Sequence, residues 1–284
     1  MTDLITAPLA LPPGVVLVER ADDSGEYIAL VEEAPVRIVL NGRELAAMMC
    51  TPTNLQELAI GWLYGEGFIE RINEVTVLGA CEDLRVVEVR TEPDRTAQRS
   101  QWKQIVTSGC GGGASFGLTP ESLAALPVVR SIWGLSSAAL GERMREMLHA
   151  APLHRLAGAI HCAALTDGER LLYLIEDIGR HNAVDKVIGR ALLRGYDLSR
   201  AAILCTGRIA GDMAYKAARA GVPVIASVTG TTSLAVQIAR QSGVTLVTRA
   251  GTPRMAAYAA PERLQDLPAG TAAQSTGEIR TLVR

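Results

Sequence analysis

The sequence predicts an α/β protein in which a smaller N-terminal α+β domain, over residues 14–118, precedes an α/β sandwich over 135–270. Three observations predict it. Short strand-like runs and one helix fill the first half, runs of Val and Ile without polar alternation mark the second, and in the second half such runs alternate with helical periods at short spacing. Unalternated strands are covered on both faces, and short strand-to-helix spacing implies right-handed crossovers onto a largely parallel sheet.

Taken in order, Val15 to Val39 reads as strands, with E-Y-I-A-L-V and V-R-I-V-L followed by the turn pair Asn41-Gly42. A helix is expected next. Pro52-Thr53 with Gln56 resembles a capping box, and Leu55, Leu58, Ala59, Trp62 and Leu63 recur at helical spacing until Gly65 and Gly67. V-T-V-L and R-V-V-E-V-R flank a charged turn, Glu92 to Gln101 is polar, and Lys103 to Val106 re-enters before the glycines that begin at Gly109. Residues Thr119 to Ser137 form a less regular connection before a helix marked by Leu140, Met144, Met147 and Leu148. A-G-A-I-H-C-A-A-L and L-L-Y-L-I-E-D then form strands joined at Asp167-Gly168, followed by a helix bearing Val184, Val187, Ile188, Ala191 and Leu192. A-I-L-C-T-G leads to a helix around Met213 to Ala220, V-P-V-I-A-S-V to one around Leu234 to Arg240, and T-L-V-T closes. A hairpin followed by αβ repeats is the element order of the cytidine deaminase fold, an analogy of architecture alone.

The chain has 284 residues, 48% of them hydrophobic, which is material for a large core. Its 28 basic residues nearly balance 30 acidic ones, so a net charge of -2 supplies no global field for nucleic acid or an anionic membrane. An anionic ligand must be held locally. Met1 to Leu11 carries Asp3 and lacks the basic residues that precede a secretory apolar region, so a loose leader is expected. No apolar run approaches the roughly 18 residues a membrane span needs. Cys50, Cys81, Cys110, Cys162 and Cys205 are odd in number and never spaced C-x-x-C, which fits a reducing cytoplasm better than a disulfide framework or a four-sulfur zinc site.

Candidate chemistry concentrates in a few segments. Thr107-Ser108-Gly109-Cys110-Gly111-Gly112-Gly113 places one thiol between glycines, where no neighbouring side chain shields it and backbone N–H groups can favour a thiolate or persulfide anion. A flexible glycine loop with an incidental Cys is the alternative. The other cysteines have apolar neighbours and are expected in the core, with Cys50 the least settled. His161-Cys162-Ala163 lacks the Glu and the following C-x-x-C of a zinc deaminase, so neither zinc nor deamination is expected, and His161 reads as a core or pocket-lining histidine.

Glu176 to Lys186 ends a strand, turns at Gly179 and begins a helix, a place where open α/β sheets bind ligands. Its alternative is capping by Asn182, with Asp185 and Lys186 as solvated charges. Thr206-Gly207-Arg208 and Thr229-Gly230-Thr231-Thr232 repeat the arrangement, and Arg249-Ala250-Gly251-Thr252-Pro253-Arg254 brackets a Gly-containing loop with two guanidinium groups. Convergence of these loops on one sheet edge points to a nucleotide-like anion, with Arg180, His181, Arg208, Thr231 and residues 249–254 as candidate contacts.

C-T-P-T-N-L-Q-E-L-A-I-G-W-L-Y-G-E-G-F-I, T-S-G-C-G, G-A-I-H-C-A-A-L, E-D-I-G-R-H-N-A-V-D-K, T-G-R-I-A-G-D-M-A-Y-K and A-A-P-E-R-L resemble, in that order, successive blocks of the formate dehydrogenase accessory sulfurtransferases, the FdhD family. The resemblance spans about residues 35 to 265. It implies a deaminase-like fold without zinc, usually dimeric, that takes sulfur from a cysteine desulfurase and passes it to molybdenum bis-molybdopterin guanine dinucleotide, or its tungsten counterpart, for formate dehydrogenase. By position Cys110 corresponds to the persulfide-bearing Cys, and residues 249–254 to the segment that binds the guanine nucleotide cofactor. The sequence departs from many relatives in carrying Gly113 where a second Cys stands, and Ala210 and Asp212 where Ser and Glu are common. A carrier that binds and delivers the cofactor without catalysis is the alternative function.

Overall fold

The computed structural model describes residues 11–22, 25–81, 83–96, 105–106, 114–115 and 120–266. Its described strands are β1 (Val15–Glu19), β2 (Tyr27–Val31), β3 (Ala34–Leu40), β4 (Arg43–Cys50), β5 (Val75–Cys81), β6 (Val86–Thr91), β7 (Ile105–Val106), β8 (Ala114–Ser115), β9 (His161–Thr166), β10 (Leu171–Asp177), β11 (Ala202–Cys205), β12 (Val224–Ser227), β13 (Thr245–Thr248) and β14 (Ala256–Ala259). The described α-helices are α1 (Leu55–Gly65), α2 (Pro120–Ala124), α3 (Ser137–Ala150), α4 (Pro152–Ala157), α5 (Arg180–Arg194), α6 (Gly211–Arg219) and α7 (Ser233–Ser242).

In the first half a four-stranded sheet runs β4-β3-β6-β5. β3 and β4 turn on Asn41 and Gly42, both at positive φ, as the Asn-Gly pair requires. Alternate residues of β3, namely Val36, Ile38 and Leu40, point inward against α1. β4 was not legible as a strand, because R-E-L-A-A-M-M-C is built from good helix formers and takes its conformation from the ladder with β3. The expected capping box before α1 does not form either. Asn54 occupies the cap position in the left-handed region and makes no side-chain cap bond.

α1 is apolar nearly all round because it is covered on both sides. One side packs on the four-stranded sheet, and the other meets α5 at Gly61 and Gly189. A methyl group on Gly61 would fall 1.8 Å from the Asp185 carbonyl oxygen, and one on Gly189 would fall 1.9 Å from that of Glu57. The two halves of the chain therefore share a helix layer.

The larger sheet has six strands in the order β10-β9-β11-β12-β13-β14. β9 and β10 form the expected hairpin, and β11, β12 and β13 are mutually parallel. β14 adds an antiparallel edge that the short A-A-Y-A run did not announce. Side chains alternate between two cores. Ala163, Leu165, Ile203, Ile225 and Leu246 face α5, α6 and α7, whereas Cys162, Ala164, Leu204, Ala226 and Val247 face α3. This topology brings the ends of β10, β11, β12 and β13 and the start of β9 to one edge. No described helix is long and apolar enough to cross a membrane.

Candidate functional site

The shared edge gathers Asp177 to His181, His161, Thr206 to Arg208, Thr229 to Thr231 and residues 249–254. From β9 to β13 is three strand steps, a span of roughly 14 Å. The loops after β11 and β12 are joined by an isolated bridge between Ile209 and Thr231.

Most of the segment Glu176 to Lys186 is interior scaffold. Glu176 accepts the amides of Leu153 at 3.0 Å and His154 at 2.6 Å, so its carboxylate caps α4. Asp177 and Lys186 are fully buried and paired at 2.6 Å, and the Lys186 ammonium also donates to the Thr51 carbonyl at 2.8 Å. The other Asp177 oxygen accepts the Gly179 amide and the Asn182 side chain, which also donates to the Met49 carbonyl. Gly179, and not Asn182, stands at the start of α5. Asp185 is buried against Lys216 at 2.6 Å, with Glu66 at 3.8 Å. Burial opposes the Lys216 charge, but Asp185 and Glu66 outweigh it and hold the ammonium above the ordinary lysine range. The reading of Asp185 and Lys186 as solvated charges, and of Asn182 as a cap, is thus corrected. These residues latch β4, α1 and α6 onto α5.

Arg180 and His181 remain at the edge. Arg180 is largely buried and lies across Gly207, where a methyl group would come within 2.5 Å of its Cβ. His181 Nε2 stands 2.9 Å from Asp212 Oδ2. Burial pushes the Asp212 carboxyl up, but His181 and Lys216 outweigh it and hold it below the usual carboxylate range. His161 Nδ1 meets Thr206 Oγ1 at 3.2 Å, and its pKa is pulled down by burial first and by Arg180 and His181 next. The sequence marks Asp212 only as standing where relatives commonly carry Glu; its pairing with His181, distant in the chain, comes from the packing of α6 against the start of α5.

The arginine end is built differently. Arg208, Arg249 and Arg254 are exposed, and Arg249 takes a positive φ of 52° at the turn after β13. The amides of Arg249, Ala250, Thr252 and Arg254 already donate to Thr229, Ser227, Arg249 and Thr252, so guanidinium groups are the main donors this loop offers to an anion. Pro253 has no amide to offer. Thr231 donates its hydroxyl to the Ile209 carbonyl at 2.9 Å, which leaves it lone pairs for a ligand and no proton.

Three thiols are excluded as nucleophiles by their surroundings. Burial pushes Cys50, Cys162 and Cys205 up to about 12, so none carries an appreciable thiolate at neutral pH. Cys81, expected in the core, is exposed at the end of β5 because that strand is the sheet edge. Cys110 lies outside the described residues; the strands on either side of its segment pair, with Val106 opposite Ala114. Among the described residues no group of three or more His, Cys, Asp and Glu is placed to hold a metal ion.

Residues 31–265 match the model of the FdhD/NarQ family. The chain is 34% identical over 249 residues to the sulfur carrier protein FdhD of Bacillus subtilis, covering 87% of this chain and 95% of that protein. It is 38% identical over 269 residues to the sulfur carrier protein FdhD of Streptomyces avermitilis, covering 83% and 88%. A solved structure from Desulfotalea psychrophila, named for a role as a formate dehydrogenase accessory protein, superposes with a TM-score of 0.69 at 31% identity, covering 88% of this chain and 97% of that one.

Proposed function

The chain belongs to the FdhD/NarQ family, and from that premise we propose that it is a sulfurtransferase in which Cys110 carries persulfide sulfur to molybdenum bis-molybdopterin guanine dinucleotide. The donor is a cysteine desulfurase, the client is formate dehydrogenase, and the protein works as a cytoplasmic homodimer. The observation that carries this reading is the contrast among the thiols. Cys50, Cys162 and Cys205 are held protonated by burial and Cys81 ends an edge strand between Ala80 and Glu82, while Cys110 sits among four glycines in a seven-residue segment.

In the first step the Cys110 thiolate attacks the outer sulfur of the donor persulfide. A new S–S bond forms at Cys110, the donor S–S bond breaks, and the donor leaves as a thiolate. One thiol suffices for this exchange, so Gly113 in place of a second Cys does not block it. The cofactor is cargo. Its guanine nucleotide end fits the sheet edge, where Arg249 and Arg254 would take phosphate charge, Arg208 and Thr231 flank them, and Arg180 and His181 stand at the far end.

Incubation with a desulfurase and cysteine, followed by mass spectrometry, tests the thiol. The wild type is expected to gain one sulfur on Cys110 and Cys110→Ser none, and a strain whose sole copy is Cys110→Ser is expected to lack formate dehydrogenase activity. Full dehydrogenase activity with Cys110→Ser would sink the transfer mechanism and favour a carrier that only delivers the cofactor.

A further inference from the structure

We propose that Arg145, on α3, is a third guanidinium of the phosphate-binding surface formed by residues 249–254, a role that rests on the reading of that loop as a nucleotide site. α3 is capped by Ser136, whose hydroxyl accepts the Ala139 amide at 2.9 Å, and its Ser137 amide is held by the Asp266 carboxylate. The helix then meets the arginine loop glycine to glycine. A methyl on Gly141 would come within 3.2 Å of the Gly251 Cα, and one on Gly251 within 3.2 Å of the Gly141 carbonyl oxygen. Gly251 also has a φ of +80°, so both the turn and the contact call for glycine there.

Arg145 stands one helical turn beyond Gly141, on the same face, and so over the loop. Its Nη1 reaches the Gly251 carbonyl at 3.5 Å, a long contact that engages one of the five donors of the guanidinium. The carboxylates beside it are engaged elsewhere: Glu142 and Glu146 lie 2.7 and 3.1 Å from Arg143, on the opposite flank. Among the described residues neither Arg145 nor Arg249 nor Arg254 is ion-paired, and all three are exposed. Three uncompensated cations around one Gly-containing turn suit the two adjacent phosphates of a nucleoside diphosphate. The terminal diphosphate of GDP carries more charge than two arginines balance, the esterified diphosphate of a dinucleotide carries one charge per phosphate, and planar guanidinium groups pair with the oxygens of either two at a time.

Calorimetry with GDP, inorganic pyrophosphate and guanosine tests the assignment on the full chain. Arg145→Ala is expected to weaken GDP and pyrophosphate about tenfold or more, to leave guanosine unaffected, and to leave the thermal midpoint where it was. Arg145→Lys should recover part of the loss, and Arg143→Ala, which removes a cation already paired, should change little. Unchanged GDP affinity in Arg145→Ala, beside a clear loss in Arg254→Ala, would overturn the role of Arg145 while leaving the loop in place. Failure of the wild type to bind GDP or pyrophosphate at all would instead overturn the nucleotide reading, and the role of Arg145 with it.

Discussion

The latch beneath α5 and the loop after β13 are both dense in charge along the sequence, yet the fold uses them in opposite ways. In the latch Asp177, Asp185, Lys186 and Lys216 are buried and every charge has a partner at 2.6 Å. In the loop Arg249 and Arg254 are exposed, and the backbone is what has been satisfied. The difference separates scaffold from ligand surface. A buried charge needs its partner inside the protein, since leaving it alone carries a desolvation penalty of several kcal/mol. An exposed cation pays nothing comparable and keeps its donors available. The motif E-D-I-G-R-H-N-A-V-D-K is therefore mainly a joint between the two halves of the chain, with His181 half-buried at the edge and Arg180 packed beneath it across Gly207.

Breaking the latch gives the largest expected effect. Lys186→Met keeps most of the side-chain volume but leaves Asp177 buried without its cation, so the free energy of unfolding is expected to fall by about 3–5 kcal/mol in urea titrations. Adding Asp177→Asn should restore part of it, because the uncompensated charge goes. A loss below about 1 kcal/mol in the single variant would mean that the pair behaves as a surface pair, and the comparison would fail.

The loop should answer in the reverse sense. Arg254→Ala is expected to cost about 1.5–3 kcal/mol of GDP binding, one to two decades in affinity, and to change stability by no more than about 0.5 kcal/mol. Calorimetry and thermal melts on one preparation check both numbers. Intact affinity with a folded variant would take residues 249–254 out of the site, and a large loss of stability would place Arg254 with the scaffold.

The sequence made the larger sheet legible because its strands are apolar on both faces and its turns carry Asp-Gly and Gly signals, as at Asp167-Gly168 where φ is 94°. The gathering of polar loops at one edge followed from that topology. What escaped reading depended on contacts distant in the chain. β4 looks helical until β3 pairs with it, Asn54 replaces the capping box because the chain enters α1 through a left-handed residue, and Lys186 looks solvated until Thr51 and Asp177 close over it. The same holds for Arg145, 106 residues from the Gly251 carbonyl it touches.

His161 belongs to neither extreme, being half-buried at the edge between latch and loop, and it gives the smallest expected effect. Its folded pKa lies below the ordinary 6.5 because burial disfavours the imidazolium and because Arg180 and His181 repel it, with His154 adding to them and Asp177 opposing. Above pH 6.5 the ring is neutral in folded and unfolded chains alike and stability is unaffected. As pH falls below that point the unfolded chain takes up its proton first, so stability declines until the folded ring titrates as well. His161→Gln removes this contribution, and its stability should therefore fall less steeply on acidification than that of the wild type. Bound pyrophosphate should act on the same group. An anion at the edge offsets the Arg180 and His181 charges, so the His161 titration, followed by NMR of the imidazole, is expected to move upward when pyrophosphate is added. A titration point that stays put while pyrophosphate binds would place the anion at the arginine end alone and divide the edge into two separate sites.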